Sequence, residues 1–197
     1  MSATQATKQV ELENTNRWST RQLVTMALMC AIAALLSFVQ IPILPAAPFL
    51  TYDPSLMPAM VCGFAFGPGA GFVVGSIAAV IHGLILGEWV GSLMNICATL
   101  FFVVPSALIY KKKHTLKGAV LGLIVGVVCA TVGAIITNLT IGVAFWYGSA
   151  DVIMPLLLPA VVPFNLIKTV LNSLLTLIVY KAISNLITPK KNQVKGR

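Results

Sequence analysis

The chain has 197 residues, of which 58% are apolar and only 9% are charged, and its mean hydropathy is +0.94. A soluble domain carries roughly a quarter charged residues. The composition therefore excludes an ordinary water-soluble protein and indicates an integral membrane protein of one compact domain. The pI near 9.6 does not indicate a nucleic-acid binder, because the cations cluster beside apolar segments instead of spreading over one face.

The apolar segments predict an all-α integral membrane protein, a compact bundle of six transmembrane helices. Predicted helix 1 covers about residues 23–41, which is long enough to cross ~30 Å of hydrocarbon at ~1.5 Å per residue. Pro42, Pro45 and Pro48 end it and open a loop. The remaining segments are helix 2 at 56–66, helix 3 after the Gly67-Pro68-Gly69 turn to about 86, helix 4 at 92–110, helix 5 at 116–146 and helix 6 at 163–187. Helix 2 is too short to span upright alone, and helix 5 is long enough to predict a tilt or a kink.

The positive charges predict the orientation. Of the 13 Lys and Arg residues, three precede helix 1, four lie between helices 4 and 5, and five lie at or beyond the end of helix 6. With six spans these twelve fall on one side, which the positive-inside rule makes cytoplasmic. We therefore predict a polar cytoplasmic segment at residues 1–22, a membrane domain at 23–187 and a basic cytoplasmic tail at 188–197, in a bacterial plasma membrane. The thirteenth cation is Lys168.

Sequence motifs give no indication of an enzyme. No Gly-x-x-x-x-Gly-Lys-Ser/Thr loop for ATP, no HExxH or CxxC motif and no pair of membrane carboxylates is present,. The four cysteines, Cys30, Cys62, Cys97 and Cys129, fall inside apolar segments without metal-ligand spacing,. We therefore predict no catalytic residue, no metal and no cofactor.

Rows of small residues predict close helix packing. Helix 3 carries Gly67, Gly71, Gly75, Ala79, Gly83 and Gly87, and helix 5 carries Gly118, Gly122, Gly126, Ala130 and Ala134. Small residues four apart let helix backbones approach closely in lipid. Ala27 and Ala31 form a further small pair on helix 1. This pair either packs inside the bundle or forms a smooth docking surface for another membrane subunit.

Polar residues in the second half of the chain predict a binding pocket. Asn165, Lys168, Asn172 and Thr176 share an arc of helix 6 of about 60°,, and Phe164 borders it. A stripe of this kind faces the bundle interior or a wet cavity, because an ammonium in the bilayer costs about 3 kcal/mol. The alternative is that Lys168 snorkels to the outer surface.

Other helices offer polar groups at a similar depth. Asn138 on helix 5 is expected to face inward, because an unpaired amide in lipid is costly, and Asn95 lies near the outer end of helix 4. His82 on helix 3 is better interpreted as a hydrogen-bonded packing residue than as a metal ligand, although its role stays open. The aromatic residues expected near the outer mouth are Tyr52, Trp89, Trp146 and Tyr147. An interfacial aromatic belt explains most of them, and one or two could stack on a flat ligand. Amides, one cation and aromatic walls suit a small planar heterocycle with hydroxyl or carbonyl groups.

Two motifs resemble those of the riboflavin-specific S components, the substrate-binding subunits of energy-coupling-factor (ECF) transporters. The first motif is Leu50-Thr51-Tyr52-Asp53-Pro54-Ser55-Leu56-Met57-Pro58-Ala59, followed by Gly63, Phe66-Gly67-Pro68 and Gly71. The second motif is Pro163-Phe164-Asn165-Leu166-Ile167-Lys168, at the start of the last predicted helix. The resemblance covers about residues 20–187.

The resemblance implies that riboflavin enters from outside and is carried inward unaltered. It implies flavin contacts for Asn165 and Lys168 and a further contact for Asn138. The full set of candidate substrate-binding residues is Leu50, Asp53, Asn95, Asn138, Phe164, Asn165 and Lys168. Ala27 and Ala31 resemble the motif that docks on a transmembrane coupling subunit, and two cytoplasmic ATPases would complete the transporter.

One departure from the family pattern widens the range of functions. Leu56 stands where a second acidic residue is usual, and a proline, Pro54, directly follows Asp53. The first outer loop can therefore differ in shape from that of the family. The chain could then serve a flavin relative or another vitamin, such as pantothenate or a pyridoxine-like compound. The residues are also compatible with a stand-alone secondary transporter and with a structural membrane subunit that has no ligand.

Overall fold

The computed structural model describes residues 18–45 and 47–187, with side chains described up to residue 179. Most of the predicted segment 1–22 and all of the tail 188–197 lie outside these residues. The α-helices are α1 (Thr20–Ser37), α2 (Leu56–Phe66), α3 (Pro68–Leu86), α4 (Trp89–Lys112), α5 (Leu116–Thr137), α6 (Ala150–Leu156) and α7 (Val162–Ile187). Five helical stretches of the described chain are long and apolar enough to cross a membrane, and α2 is a shorter apolar helix. The prediction of a helical membrane bundle is confirmed.

Helix α1 is shifted toward the N-terminus relative to the prediction. It begins three residues earlier, because Ser19 and Gln22 form a reciprocal capping box,. It ends at Ser37, before the predicted end at residue 41. Ile41 and Pro42 instead form β1 (Ile41–Pro42), which pairs antiparallel with β2 (Thr51–Tyr52). This short hairpin was not predicted, and it folds the loop before α2 back over the bundle.

Helix α2 matches its predicted bounds and lies at the centre of the bundle. Eight of its residues are buried, and it packs against α1, α3, α4 and α7. Gly67 separates it from α3 with φ of 99°, a left-handed backbone conformation that favours glycine. Pro68 then occupies the first turn of α3, where its missing N–H is tolerated.

Two π-helical segments interrupt the second half of the chain. Helix α5 continues as a π-helix over Asn138–Tyr147, so the predicted irregularity of this long segment takes the form of a wider helical turn. Predicted helix 6 agrees with α7, which begins at Val162. The chain before it is already helical in α6 and in a second π-helix, Leu157–Val161, and these turns were not predicted. Proline signals the start of a helix in sequence, but Pro155 and Pro159 lie within these turns.

The helices run alternately up and down. The connections at 38–55, 87–88 and 148–149 lie at one end, here called the cavity end. The connections at 67 and 113–115 lie at the opposite end, together with the start of α1 and the end of α7. The described chain thus makes six passes, counting α2 as one.

The rows of small residues do pack helices closely at the opposite end. A Cβ atom on Gly71 would lie 2.7 Å from the carbonyl oxygen of Ala59, and one on Gly122 would lie 2.6 Å from that of Ser106. Such separations are well inside van der Waals contact, so α3 approaches α2, and α5 approaches α4, only because these positions lack side chains. Ala130 and Ala134, at the other end of the α5 row, line a cavity instead.

Candidate ligand-binding cavity

A cavity of about 530 Å³ lies at the cavity end, between the loop after α1 and the ends of α3, α4, α5 and α7. Its volume falls within the range of about 300–1,000 Å³ that small-molecule sites occupy. All seven candidate substrate-binding residues line it: Leu50, Asp53, Asn95, Asn138, Phe164, Asn165 and Lys168. The sequence thus predicted residues from separate parts of the chain that the fold brings around one space.

Lys168 forms a buried ion pair. Its Nζ atom lies 2.7 Å from Oδ2 of Asp53 and 3.5 Å from Oδ1 of Asn95. Both members of the pair have side chains only 9% exposed. The snorkelling alternative is therefore wrong: the ammonium turns into the bundle, where a carboxylate 115 residues away in sequence compensates its charge.

Asp53 is held from several directions. Ser55 donates to Oδ1 through both its backbone N–H and its hydroxyl, and the amide of Asn172 donates to the backbone carbonyl of Asp53 over 3.1 Å. Burial raises the pKa of the Asp53 carboxyl, but the charge and hydrogen bond of Lys168 and the Ser55 hydrogen bonds outweigh burial and hold it below its usual value,. Asp53 is therefore a carboxylate, and the pair is an ion pair at neutral pH.

The rest of the predicted stripe on α7 also faces inward. Asn172 and Thr176 are fully buried, in agreement with the predicted inward direction. They lie behind the ion pair and do not line the cavity. Nδ2 of Asn172 also donates to the carbonyl of Lys168 over 3.0 Å, so Asn172 joins the backbone of α7 to the loop that carries Asp53.

Two asparagines present their amides at the π-helical segments. Nδ2 of Asn138 donates to the carbonyl of Ala134 over 2.8 Å, and Nδ2 of Asn165 donates to the carbonyl of Val161 over 2.8 Å. The hydroxyl of Tyr147 donates to Oδ1 of Asn138 over 3.1 Å. Each amide is therefore anchored to a carbonyl of its own helical segment. Both asparagines lie at π-helical turns, which recur at functional sites. Asn138 is buried, as predicted.

A second polar group lines the cavity and was not predicted as part of the site. It comprises Ser37, Gln40 and His82. The Ser37 hydroxyl donates to the carbonyl of Ala34, so its oxygen accepts from Nδ1–H of His82 over 3.0 Å. Nε2 of His82 is then the acceptor for the Gln40 amide at 3.3 Å. Both ring nitrogens of His82 therefore have a hydrogen-bond partner.

The predicted role of His82 as a packing residue fits these contacts, and the ring also packs against Phe38 with centroids 5.2 Å apart. Within the described residues, no group of three or more His, Cys, Asp or Glu side chains could hold a metal ion. The signal available in sequence was the position of His82, one residue before Gly83 near the end of predicted helix 3. No sequence pattern indicated that Ser37 of α1 and Gln40 of the following loop would be its hydrogen-bond partners.

Aromatic side chains line the mouth of the cavity. Trp89, Trp146 and Tyr147, which were expected there, are lining residues, together with Phe49. Tyr52 is buried in β2 and is not among the lining residues. Rings of this kind give flat apolar walls on which a planar ligand can stack.

Comparisons with known proteins agree with this architecture. The family model described as "ECF transporter, substrate-specific component" matches residues 21–180. The chain is 28% identical over 177 residues to the riboflavin transporter RibU of Staphylococcus aureus, covering 86% of this chain and 94% of that protein. It is 28% identical over 159 residues to the riboflavin transporter FmnP of Bacillus subtilis, covering 75% of this chain and 84% of that protein.

A solved structure of the S component of a bacterial ECF transporter has the same fold. It is 30% identical, covers 86% of this chain and 98% of its own, and superposes with a TM-score of 0.74. The matched proteins are transporter components, which confirms the expectation that the chain is not an enzyme and has no resident cofactor. The chain belongs to the family of substrate-specific components of ECF transporters.

Proposed function

We propose that the chain binds riboflavin in this cavity and delivers it across the membrane as the S component of an ECF transporter. The observation that carries the proposal is the gathering of three asparagine amides and one lysine around a cavity with aromatic walls. The two relatives described above are named riboflavin transporters, which supports the same ligand. Riboflavin itself has a flat three-ring system with two carbonyls and a hydroxylated chain.

The ring system would lie among the aromatic residues with its polar edge toward the amides. An asparagine offers both an acceptor and two donors, so Asn138 and Asn165 can pair with the alternating carbonyl and N–H groups of that edge. Lys168 can donate one further proton to a carbonyl while it keeps Asp53. Asn95 and Leu50 would complete the enclosure from α4 and from the loop.

Transport driven by ATP would require partners, because the chain contains no ATP-binding loop. We propose a transmembrane coupling subunit and two cytoplasmic ATPases. Ala27 and Ala31 are both exposed on α1, so the interpretation that they pack inside the bundle is wrong. An exposed pair of small residues between exposed Leu23, Val24 and Leu28 suits a docking face for that coupling subunit.

The proposed setting is a bacterial plasma membrane, with both termini cytoplasmic and the cavity facing outward. Arg21, Lys111, Lys112, Lys113 and Lys117 all lie at the end opposite the cavity. The positive-inside rule puts this end in the cytoplasm. The cavity would then take up its ligand from the outside.

The charge of the cavity favours an uncharged ligand among the candidate vitamins. Pantothenate carries a carboxylate, and an anion of this kind needs an unpaired cation in the site. Lys168 is already paired with Asp53, so an uncharged heterocycle is the better ligand. A pyridoxine-like compound shares that property and is therefore the competitor to include in the test.

The test is a binding titration with the purified chain in detergent. We expect riboflavin fluorescence to be quenched on binding and the bound protein to be yellow. Asn138→Ala should weaken binding about three- to tenfold, the worth of one net hydrogen bond. The matched control is Thr140→Ala, because the Thr140 hydroxyl is exposed, donates to its own helix and does not line the cavity. Failure to bind riboflavin, or tighter binding of pyridoxine, would refute the proposal.

A further inference from the structure

We propose that Tyr147 is a positioning residue of the ligand site: its hydroxyl reaches back across Gly142 and holds the side-chain amide of Asn138 in the orientation that faces the ligand. The π-helix over Asn138–Tyr147 is the element that makes this contact possible. The inference rests on the proposed function, since that function makes Asn138 a ligand contact. It gives Tyr147 a role beyond that of an aromatic wall.

The amide of Asn138 is held at both of its ends. Nδ2 donates to the carbonyl of Ala134 over 2.8 Å, and Oδ1 accepts from the Tyr147 hydroxyl over 3.1 Å. An amide has two donor hydrogens and two acceptor lone pairs, so one N–H and one lone pair stay available for a ligand. The bond to Ala134 alone would let the amide pivot, whereas bonds at both ends fix its plane. Tyr147 therefore fixes the direction of the groups that a ligand can use.

The π-helix brings Tyr147 onto the same face as Asn138. The two residues are nine positions apart, which at about 3.6 residues per turn makes about two and a half turns of an α-helix. In an α-helix their side chains would therefore point in opposite directions. A π-helix bonds residues five apart, so its wider turns bring Asn138, Gly142 and Tyr147 close to one line along the helix. The N–H of Gly148 bonds to the carbonyl of Val143, which continues this spacing to the residue after Tyr147.

Gly142 leaves room for the Tyr147 ring. A Cβ atom on Gly142 would lie 2.7 Å from Cε2 and 3.2 Å from Cδ2 of that ring. Both separations are shorter than ordinary van der Waals contact, so an alanine at this position would push the ring aside. Gly142 is not among the glycines with positive φ. The ring, and not a left-handed backbone, is therefore the physical reason for a glycine here.

The Tyr147 ring also has an apolar support. It packs against a cluster of Ile153, Leu157 and Val161 from α6 and the second π-helix. The position of the hydroxyl is therefore set by the fold, without a ligand. Groups that are already ordered before binding lose less conformational entropy when the ligand enters, so this arrangement favours tight binding through Asn138.

The alternative role for Tyr147 is direct contact with the ligand, because Tyr147 also lines the cavity. The two roles make different predictions. A hydroxyl that touches the ligand contributes to affinity whether or not Asn138 is present, whereas a hydroxyl that positions Asn138 contributes only through it. A double-mutant cycle separates a coupled pair of residues from two independent ones.

The experiment is such a cycle on riboflavin affinity, measured by fluorescence quenching with the purified chain in detergent. Tyr147→Phe keeps the ring and removes only the hydroxyl, so we expect binding to weaken about two- to tenfold, up to the worth of one net hydrogen bond. In the Asn138→Ala background the same substitution should change the affinity by less than about twofold, the margin within which independent effects add. An equal loss in both backgrounds would overturn the inference, and so would wild-type affinity in Tyr147→Phe.

Gly142→Ala tests the path of the ring separately. It should weaken riboflavin binding by a factor similar to that of Tyr147→Phe, because displacing the ring breaks the same hydrogen bond. The two substitutions together should weaken binding no more than either alone. A purely structural role would lower the unfolding temperature without this coupling in affinity. Wild-type affinity in Gly142→Ala would refute the proposed path.

The matched controls lie at the end of the bundle opposite the cavity. Tyr110→Phe removes a hydroxyl from a ring that stacks on Phe64 with centroids 4.6 Å apart. Gly69→Ala adds a methyl group whose nearest neighbour is the Trp18 ring at 3.9 Å. Neither control should change riboflavin affinity. A wild-type chain that does not bind riboflavin would refute the proposed function and this inference with it, whereas normal binding with additive effects would refute the inference alone.

Discussion

The two halves of the bundle use the same kinds of residue for opposite purposes. At the end of the bundle opposite the cavity, glycines bring helices into backbone contact. Gly122 does so where α5 meets Ser106 of α4. At the cavity end, Ala130 and Ala134 continue the same row on α5, but they face a space of about 530 Å³. Along α5, the row of small residues therefore brings two helices together in one half of the bundle and lines the cavity in the other.

The polar residues divide the halves in the same way. In the half opposite the cavity, Ser106 donates to the carbonyl of Phe102 in its own helix, so it adds no link between distant segments. At the cavity end, Lys168 and Asn172 bond to Asp53, which belongs to the loop before α2. The half opposite the cavity is therefore stabilised by shape, whereas the half that holds the cavity depends on a few bonds between distant segments, one of them an ion pair.

Loss of one member of the ion pair should destabilise the chain most. Asp53→Asn leaves the Lys168 ammonium buried without its carboxylate, which costs about 3–5 kcal/mol when a buried pair is broken. Lys168→Met leaves the carboxylate unpaired, with a similar cost. We expect both single variants to unfold at clearly lower temperature in detergent, measured by tryptophan fluorescence.

The double variant Asp53→Asn/Lys168→Met separates this cost from simple loss of packing. Removing both charges should recover most of the stability, since no uncompensated charge remains. Riboflavin binding should stay weak in the double variant, because the lysine donor is absent. A double variant as unstable as the sum of the two singles would show that the pair does not act as a unit.

Much of the fold could be predicted because apolar length and glycine-proline turns are local signals. The bounds of α2 were correct, since prolines precede it and Gly67-Pro68 follows it. The capping box at Ser19 is also local, but a hydropathy pattern does not register it, so α1 was placed too late. The helical turns over 150–161 were missed because Pro155 and Pro159 indicate a break in sequence.

The candidate site was predictable residue by residue but not as a set of bonds. Lys168 and Asp53 were each selected on separate grounds, a polar stripe and a family motif. Their pairing spans 115 positions and depends on how the loop folds over α2, which no local pattern encodes. The group of Ser37, Gln40 and His82 was missed for the same reason, since its hydrogen bonds join α1, the following loop and α3.

A matched pair of substitutions on α5 tests the contrast between the halves directly. Gly122→Val forces a side chain against the carbonyl of Ser106, and overpacking of this kind costs about 1–3 kcal/mol. Ala134→Val adds bulk to the cavity wall, so it should weaken riboflavin binding about tenfold or more with a smaller change in stability. Thermal unfolding and a riboflavin titration on both variants give the comparison; equal effects on both measurements would remove the distinction between the halves.

A change of pH should affect stability least, because the ion pair is already complete at neutral pH. The pKa of Asp53 is held below its usual value in the folded chain, chiefly by Lys168 acting against burial. The pair's stabilisation is therefore fully present above the ordinary carboxyl pKa of about 3.9, and it is lost only as pH falls through the lower pKa of the folded chain.

We expect the unfolding temperature of the wild-type chain to lose nothing from this pair between pH 8 and 5, and to fall in stronger acid. The Asp53→Asn/Lys168→Met variant should show a smaller acid-induced fall, because it has no carboxylate to protonate at this position. A loss of wild-type stability above pH 5 that the double variant does not share would mean that Asp53 titrates at or above its usual value, and that the half that holds the cavity is held by something other than this charge.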